Sequence, residues 1–115
     1  LIAELCKQEF GKVDYILVPV ISPFKESRNL ARRELGNNFL EIYVNCPYDE
    51  CKRRDVKGNY KRAETGELKN FIGLHVPYEV PENPEIILKT FEESPQKSVE
   101  KIIDMLKLVP FAEVL

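Results

Sequence analysis

Apolar residues follow two different periods along the chain, and their alternation predicts a mixed helix and strand fold. Residues 14–21 form a nearly continuous apolar run, which is typical of a strand buried on both faces of a parallel sheet. Pro19 argues for an edge or a bulge, because a proline removes one donor from the ladder. The run at 39–44 is rich in aromatic and β-branched residues, and the run at 86–90 is short and apolar. We predict strands at both places.

Helical spacing of apolar residues fills the gaps between these strands. We predict helices at residues 1–10, 25–35, 47–55 and 60–65, and from residue 94 onward. Gly11 and Gly36 are suited to end helices, and Pro47 and Pro95 are suited to begin them. Ser94 is the expected cap of the last helix. Strands that alternate with helices predict an α/β unit with right-handed crossovers, whereas residues 108–115 form either a docked tail or a linker.

One basic stretch, residues 53–74, is broken by glycines at three positions. Six basic side chains lie between Arg53 and Lys69, and Phe71 stands close to Gly73 at the end of the stretch. Positive charge attracts a polyanion, glycine permits closure, and an aromatic ring offers a flat face to a base. The pattern therefore predicts a mobile cover over a polyanionic ligand. A solvated helix followed by an ordinary surface loop explains the same composition.

Composition restricts where such a ligand can bind. The 115 residues suit one domain, and a net charge of -2 gives no general attraction to nucleic acid or anionic membrane, so any anion site is local. No apolar run approaches the roughly 20 residues of a membrane span. Three cysteines without Cys-x-x-Cys spacing indicate reduced thiols in a cytoplasmic protein. The start inside a predicted helix, without a methionine, indicates a fragment or a processed chain.

Polar residues follow the first predicted strand at the place where ligands bind in open parallel sheets. Ser22, Lys25 and Arg28 come directly after residues 14–21, at the expected carboxyl end of the strand. The alternative is that Ser22 only starts a turn and caps the next helix. His75, the only histidine, lies in a proline-rich loop and is not assigned as a general base.

A series of short motifs runs through most of the chain: Ile21-Ser22-Pro23-Phe24 with Arg28, Phe39 to Val44, Cys51, Arg54-Asp55-Val56-Lys57-Gly58, Tyr60-Lys61, Gly66-Glu67-Leu68-Lys69-Asn70-Phe71, Gly73, Pro77-Tyr78-Glu79, Pro81, Pro84-Glu85 and Leu88-Lys89-Thr90. Together these matching positions resemble the C-terminal half of the adenylylsulfate kinase (APS kinase) family. The resemblance implies that residues 1–115 form the C-terminal part of one P-loop nucleotide-kinase domain, a three-layer α/β fold with a mostly parallel sheet and a lid.

The resemblance also implies an activity and a set of roles. The family transfers the γ-phosphoryl group of MgATP to the 3′-hydroxyl of adenylyl sulfate in sulfate assimilation, forming 3′-phosphoadenylyl sulfate (PAPS). Ser22, the candidate catalytic residue, and Ile21 are expected beside the accepting hydroxyl. Lys57 is expected to hold the anionic substrate, and Asn70 with Phe71 to sandwich its adenine. The residues expected near ATP are Arg54, Lys61, Arg62 and Thr90.

The chain also departs from the family pattern. Phe71-Ile72-Gly73-Leu74-His75 stands where the family has Phe-Thr-Gly-Ile-Asp, so a hydroxyl and a carboxylate are missing. The Gly-x-x-x-x-Gly-Lys-Ser loop and most Mg²⁺ ligands belong to the other half of the family's domain, so we expect no metal ligands here and no activity from this chain alone. A non-catalytic nucleotide-binding or regulatory remnant is the main alternative. A small P-loop kinase for a sugar or nucleoside is another.

The resemblance suggests partners as well. We expect adenylyl sulfate and ATP as ligands, no nucleic acid or membrane, and either a homodimer or a fusion to ATP sulfurylase. An uncovered sheet face or edge should make the isolated chain self-associate.

Overall fold

The computed structural model describes residues 1–108. The elements in chain order are α1 (Ile2–Glu9), α2 (Lys25–Leu35), a 3₁₀ turn (Gly36–Asn38), β1 (Ile42–Asn45), α3 (Tyr48–Arg54), α4 (Asn59–Glu64), β2 (Ile86–Lys89) and α5 (Pro95–Leu108). Each predicted helix is confirmed to within about two residues. The tail predicted at 108–115 lies outside the described residues, apart from Leu108.

Local chemistry explains most of the helix ends. Gly36 follows α2 with a φ of 56°, a left-handed value that favours glycine. The Ser94 hydroxyl accepts a hydrogen bond of 3.2 Å from the Lys97 amide, and Pro95 is the first residue of α5, so the predicted cap is confirmed. The N-cap of α2 is Phe24 rather than Ser22, so the capping role considered for Ser22 is wrong.

Two parallel strands form the sheet of the described region. β1 pairs with β2 in a register that runs from Ile42 opposite Ile86 to Asn45 opposite Lys89. Ile86 and Leu88 are buried, and α5 packs against β2. The connection from β1 to β2 contains α3 and α4, so the crossover carries the whole basic stretch. A mixed helix and strand fold with a parallel sheet is therefore confirmed.

The prediction of a strand at residues 14–21, the first of the three along the chain, is wrong. Residues 14–21 form no β-strand in the part of the chain that the structure describes, and their apolar side chains are exposed, with Leu17 at 84%. A groove of about 1000 Å³ with a mainly apolar lining is formed by this segment together with residues 38–42 and side chains of α1, α2 and α5. The apolar run predicted burial, but a strand also requires a neighbouring strand that offers backbone donors and acceptors.

The chain as a whole exposes more surface than a folded monomer of its mass, and the groove contributes to this excess. The chain has an accessible surface of 8889 Å², whereas a folded monomer of this mass has roughly 6500 Å². Its buried apolar side chains are Cys6, Ala63, Ile86 and Leu88 within the described region. No helix between residues 1 and 108 is long and apolar enough to cross a membrane.

Candidate nucleotide and acceptor site

The basic stretch folds as two short helices joined by a tight turn. Asp55 ends α3 in a left-handed conformation, and Gly58, with a φ of 70°, precedes α4. The Asp55 carboxylate accepts hydrogen bonds from the amides of Tyr60 (3.0 Å) and Lys61 (3.3 Å). A carboxylate at the start of a helix satisfies free amides and complements the helix dipole. The order predicted for the lid, helix, glycine break and short helix, is thus confirmed.

The cations of the lid fall into two groups. The first group consists of arginines in ion pairs. The Glu50 carboxylate pairs with Arg53 at 2.6 Å and with Arg54 at 3.0 Å, and hydrogen bonds from these arginines lower the pKa of the Glu50 carboxyl to about 2. Arg62 pairs with Glu67 at 3.0 Å. A second group, made of exposed lysines without an ion pair inside the described region, comprises Lys57, Lys61 and Lys69. These three charges are free to attract an anion.

Arg54 and Thr90, both predicted near ATP, are in contact. The Arg54 guanidinium donates a hydrogen bond of 3.0 Å to the Thr90 carbonyl oxygen. Thr90 in turn donates to the Asn45 carbonyl oxygen through its amide (3.2 Å) and its hydroxyl (3.4 Å). Asn45 ends β1 and Thr90 follows β2, so the base of the lid is tied to the carboxyl ends of both strands. Open parallel sheets bind their ligands at this edge.

An aromatic cluster supports Phe71 at the other end of the lid. The ring of Phe71 packs edge to face on Tyr60, with centroids 4.9 Å apart, and Tyr60 packs on Tyr48 at 5.4 Å. Burial, assisted by a hydrogen bond with Cys51, raises the pKa of Tyr60 to about 12, so this phenol stays neutral. Phe71 itself is half-buried, and Asn70 before it is exposed with a left-handed φ of 57°.

Near Ser22, which is predicted to lie beside the accepting hydroxyl, one buried arginine holds the loop that carries this serine. The Arg28 side chain is 9% exposed and donates to the carbonyl oxygens of Ser22 (2.6 Å) and Glu79. It also pairs with Glu41 at 3.2 Å and lies over the Tyr78 ring at 5.4 Å. Ser22 has a left-handed φ of 41°, a strained conformation for a residue with a side chain. Arg28 therefore fixes the backbone beside Ile21 and Ser22.

Arg28 is one of the positions that match the family, but the sequence does not show this role. The Glu79 carbonyl lies 51 positions away in the chain, and no local pattern relates the two residues. The only available signal was that Arg28 and Pro77-Tyr78-Glu79 both belong to the matching positions.

The predicted residues thus lie in three groups: Ile21 with Ser22 before α2, Arg54 with Thr90 at the sheet edge, and the lid residues Lys57, Lys61, Arg62, Asn70 and Phe71. Between residues 1 and 108, no three histidine, cysteine or acidic side chains converge to hold a metal ion.

Comparison with known proteins gives the class of this arrangement. The adenylylsulphate kinase family profile matches residues 1–89. The adenylyl-sulfate kinase of Clostridium acetobutylicum is 52% identical over 87 residues, which are 76% of this chain and 44% of that protein. The bifunctional enzyme NodQ of Rhizobium tropici is 42% identical over 107 residues, 92% of this chain and 17% of that protein.

A solved structure agrees with the sequence relatives. The APS kinase of Mycobacterium tuberculosis, determined in complex with AMPPNP and APS, superposes with a TM-score of 0.85 and 33% identity over 91% of this chain and 62% of that one. The chain belongs to the adenylylsulphate kinase family. It spans about half the length of the adenylyl-sulfate kinases it matches.

Proposed function

We propose that this chain is the acceptor and lid portion of an adenylyl-sulfate kinase, which transfers the γ-phosphoryl group of ATP to the 3′-hydroxyl of adenylyl sulfate and forms PAPS in sulfate assimilation. The observation that carries the proposal is the lid, in which lysines that form no ion pair with residues 1–108 lead to a half-buried aromatic ring supported by Tyr60. Lysines suit a sulfate and phosphate anion, and the ring suits its adenine.

Each group of residues has a role in this proposal. Lys57 binds the anionic part of adenylyl sulfate, while Phe71 stacks on its adenine and Asn70 lies on the other side. Ile21 and Ser22 contact the substrate beside the accepting hydroxyl. Direct in-line transfer needs positioning and charge neutralisation, so Ser22 orients the acceptor and requires no phosphoserine intermediate.

The ATP side is proposed to use the junction between the lid and the sheet. Arg54, Lys61 and Arg62 supply positive charge above the phosphates, and the loop at Thr90 lies near the base. The 115 residues contain no Gly-x-x-x-x-Gly-Lys-Ser motif, and the lysine and backbone amides of that loop provide the main stabilisation of the transferred group. We therefore expect the chain to act as part of a longer polypeptide and to be inactive alone.

Two further features belong to the proposal. The name of the NodQ relative, a bifunctional enzyme, supports a parent protein that carries a second activity, with fusion to ATP sulfurylase as the specific case and a homodimer as the alternative. Three free cysteines suit a reducing compartment, so we infer a cytoplasmic location.

The test is a coupled assay of ADP release with MgATP and adenylyl sulfate, run on the 115-residue chain and on the complete product of its gene. We expect activity only in the complete product, with a raised KM for adenylyl sulfate after Lys57→Ala. A complete gene product that binds both ligands but releases no ADP would refute the proposed kinase activity. That outcome would favour the second candidate, a nucleotide-binding remnant, which the missing phosphate-binding motif supports.

A further inference from the structure

The backbone of Phe71 is held by the only histidine of the chain. The Phe71 amide donates a hydrogen bond of 2.9 Å to Nδ1 of His75. In return, the His75 amide donates one of 2.8 Å to the Phe71 carbonyl oxygen. The Phe71 carbonyl oxygen also accepts hydrogen bonds from the amides of Leu74 (3.3 Å) and Val76 (3.2 Å), whereas the Phe71 amide donates to the His75 side chain.

The conformation of the surrounding turn makes the hydrogen bonds between Phe71 and His75 important for the position of the Phe71 ring. Asn70, directly before Phe71, has a left-handed φ of 57°, and Gly73 has a φ of 95°. A Cβ at Gly73 would stand 3.1 Å from the Tyr48 ring, so the turn is pressed against the aromatic cluster. Between these two unusual conformations, the Phe71 amide is held by the hydrogen bond that it donates to Nδ1 of His75.

We propose that His75 is a positioning residue for Phe71: its imidazole accepts the Phe71 amide hydrogen bond and so sets the direction of the ring that stacks on the adenine of the acceptor. The inference rests on the proposed function of Phe71. It assigns His75 no contact with the substrate and no proton transfer.

The chemistry of the bond defines which replacements can preserve it. A backbone N–H only donates, so Nδ1 must carry a lone pair and the imidazole proton lies on Nε2. The Oδ1 atom of an asparagine lies as many bonds from the backbone as Nδ1 of histidine, whereas Oε1 of a glutamine lies one bond further. Asparagine can therefore accept the same hydrogen bond, and glutamine places its oxygen beyond it.

The test compares His75→Ala, His75→Gln and His75→Asn in the complete gene product, with KM measured separately for adenylyl sulfate and ATP. Losing one such hydrogen bond corresponds to roughly a 2- to 10-fold change. We expect the alanine and glutamine variants to raise the KM for adenylyl sulfate by this factor without changing the KM for ATP. The asparagine variant should keep the KM for adenylyl sulfate at the value of the unsubstituted protein. Equal values for asparagine and glutamine, or an unchanged KM in His75→Ala, would overturn the proposal.

A second set of measurements separates this inference from the proposed function. If Phe71→Leu leaves the KM for adenylyl sulfate unchanged, the proposed role of Phe71 in substrate binding is refuted. If Phe71→Leu raises that KM but His75→Ala does not, only the role of His75 fails. The His75→Ala change should also lose its effect in the Phe71→Leu background, because the two residues act through one ring. Independently of activity, hydrogen exchange of the Phe71 amide should be faster in His75→Ala than in His75→Asn.

Discussion

Leu17 lies at the centre of the exposed apolar segment and provides a direct test of what that segment does. This residue is 84% exposed and is one of the residues that line the apolar groove. The chain also exposes 8889 Å², well above the roughly 6500 Å² of a monomer of this mass. We expect the isolated chain to self-associate through this segment, and we expect Leu17→Lys to weaken the association.

The size of the effect follows from the exposure. Fully burying a leucine side chain contributes about 1.5–3 kcal/mol. Since Leu17 has most of its surface still to bury, its share is about 1.3–2.5 kcal/mol, which corresponds to a Kd weaker by about 10- to 70-fold. Placing a lysine charge in an apolar contact adds to this value.

Sedimentation velocity over a concentration series of the 115-residue chain measures the association. Val56→Lys is the matched control, because Val56 is 92% exposed but lies in the turn after α3, outside the groove. A monomer at every concentration would refute the reasoning. So would equal weakening by the two substitutions, since the association would then not depend on the groove.

Three other changes test the site and its support. Arg28→Lys keeps the charge but loses one of two hydrogen bonds to carbonyls, so the KM for adenylyl sulfate in the complete gene product should rise about tenfold; Arg33→Lys on the same helix should leave it unchanged. Arg54→Gln should raise the KM for ATP severalfold, and an equal rise for both substrates would contradict an ATP-side role. Burial acts to raise the pKa of the Glu85 carboxyl, but hydrogen bonds from Arg32 and a backbone amide outweigh it and lower that pKa below 4.5. The ionised carboxyl therefore stabilises the fold above about pH 4.5, and this stabilisation is lost as the pH falls through the pKa that Glu85 has in the folded chain. Urea unfolding of the Glu85→Gln variant should lack this acid dependence.

The lid was the part of the site most readily predicted from sequence. Its helices and breaks depend on neighbours in the chain, such as Gly58 and the carboxylate of Asp55, and the amides that Asp55 caps lie only five and six positions away. The sequence predicted that Arg54 and Thr90 both lie near ATP, but it did not predict their contact. The two residues are 36 positions apart, and the parallel pairing of β1 and β2 brings them together.

Sequence alone determined the elements whose causes are local. Glycine at a left-handed position, proline at the first turn and a serine cap act within a few residues, so the helices were predicted with nearly correct bounds. The tertiary structure decided the rest. Residues 14–21 are apolar enough for a buried strand, but a strand also requires pairing with another strand, and the strand pairing in residues 1–108 is between β1 and β2. The bonds of Arg28 to Ser22 and Glu79 likewise depend on segments that are distant in sequence and become neighbours only in the folded chain.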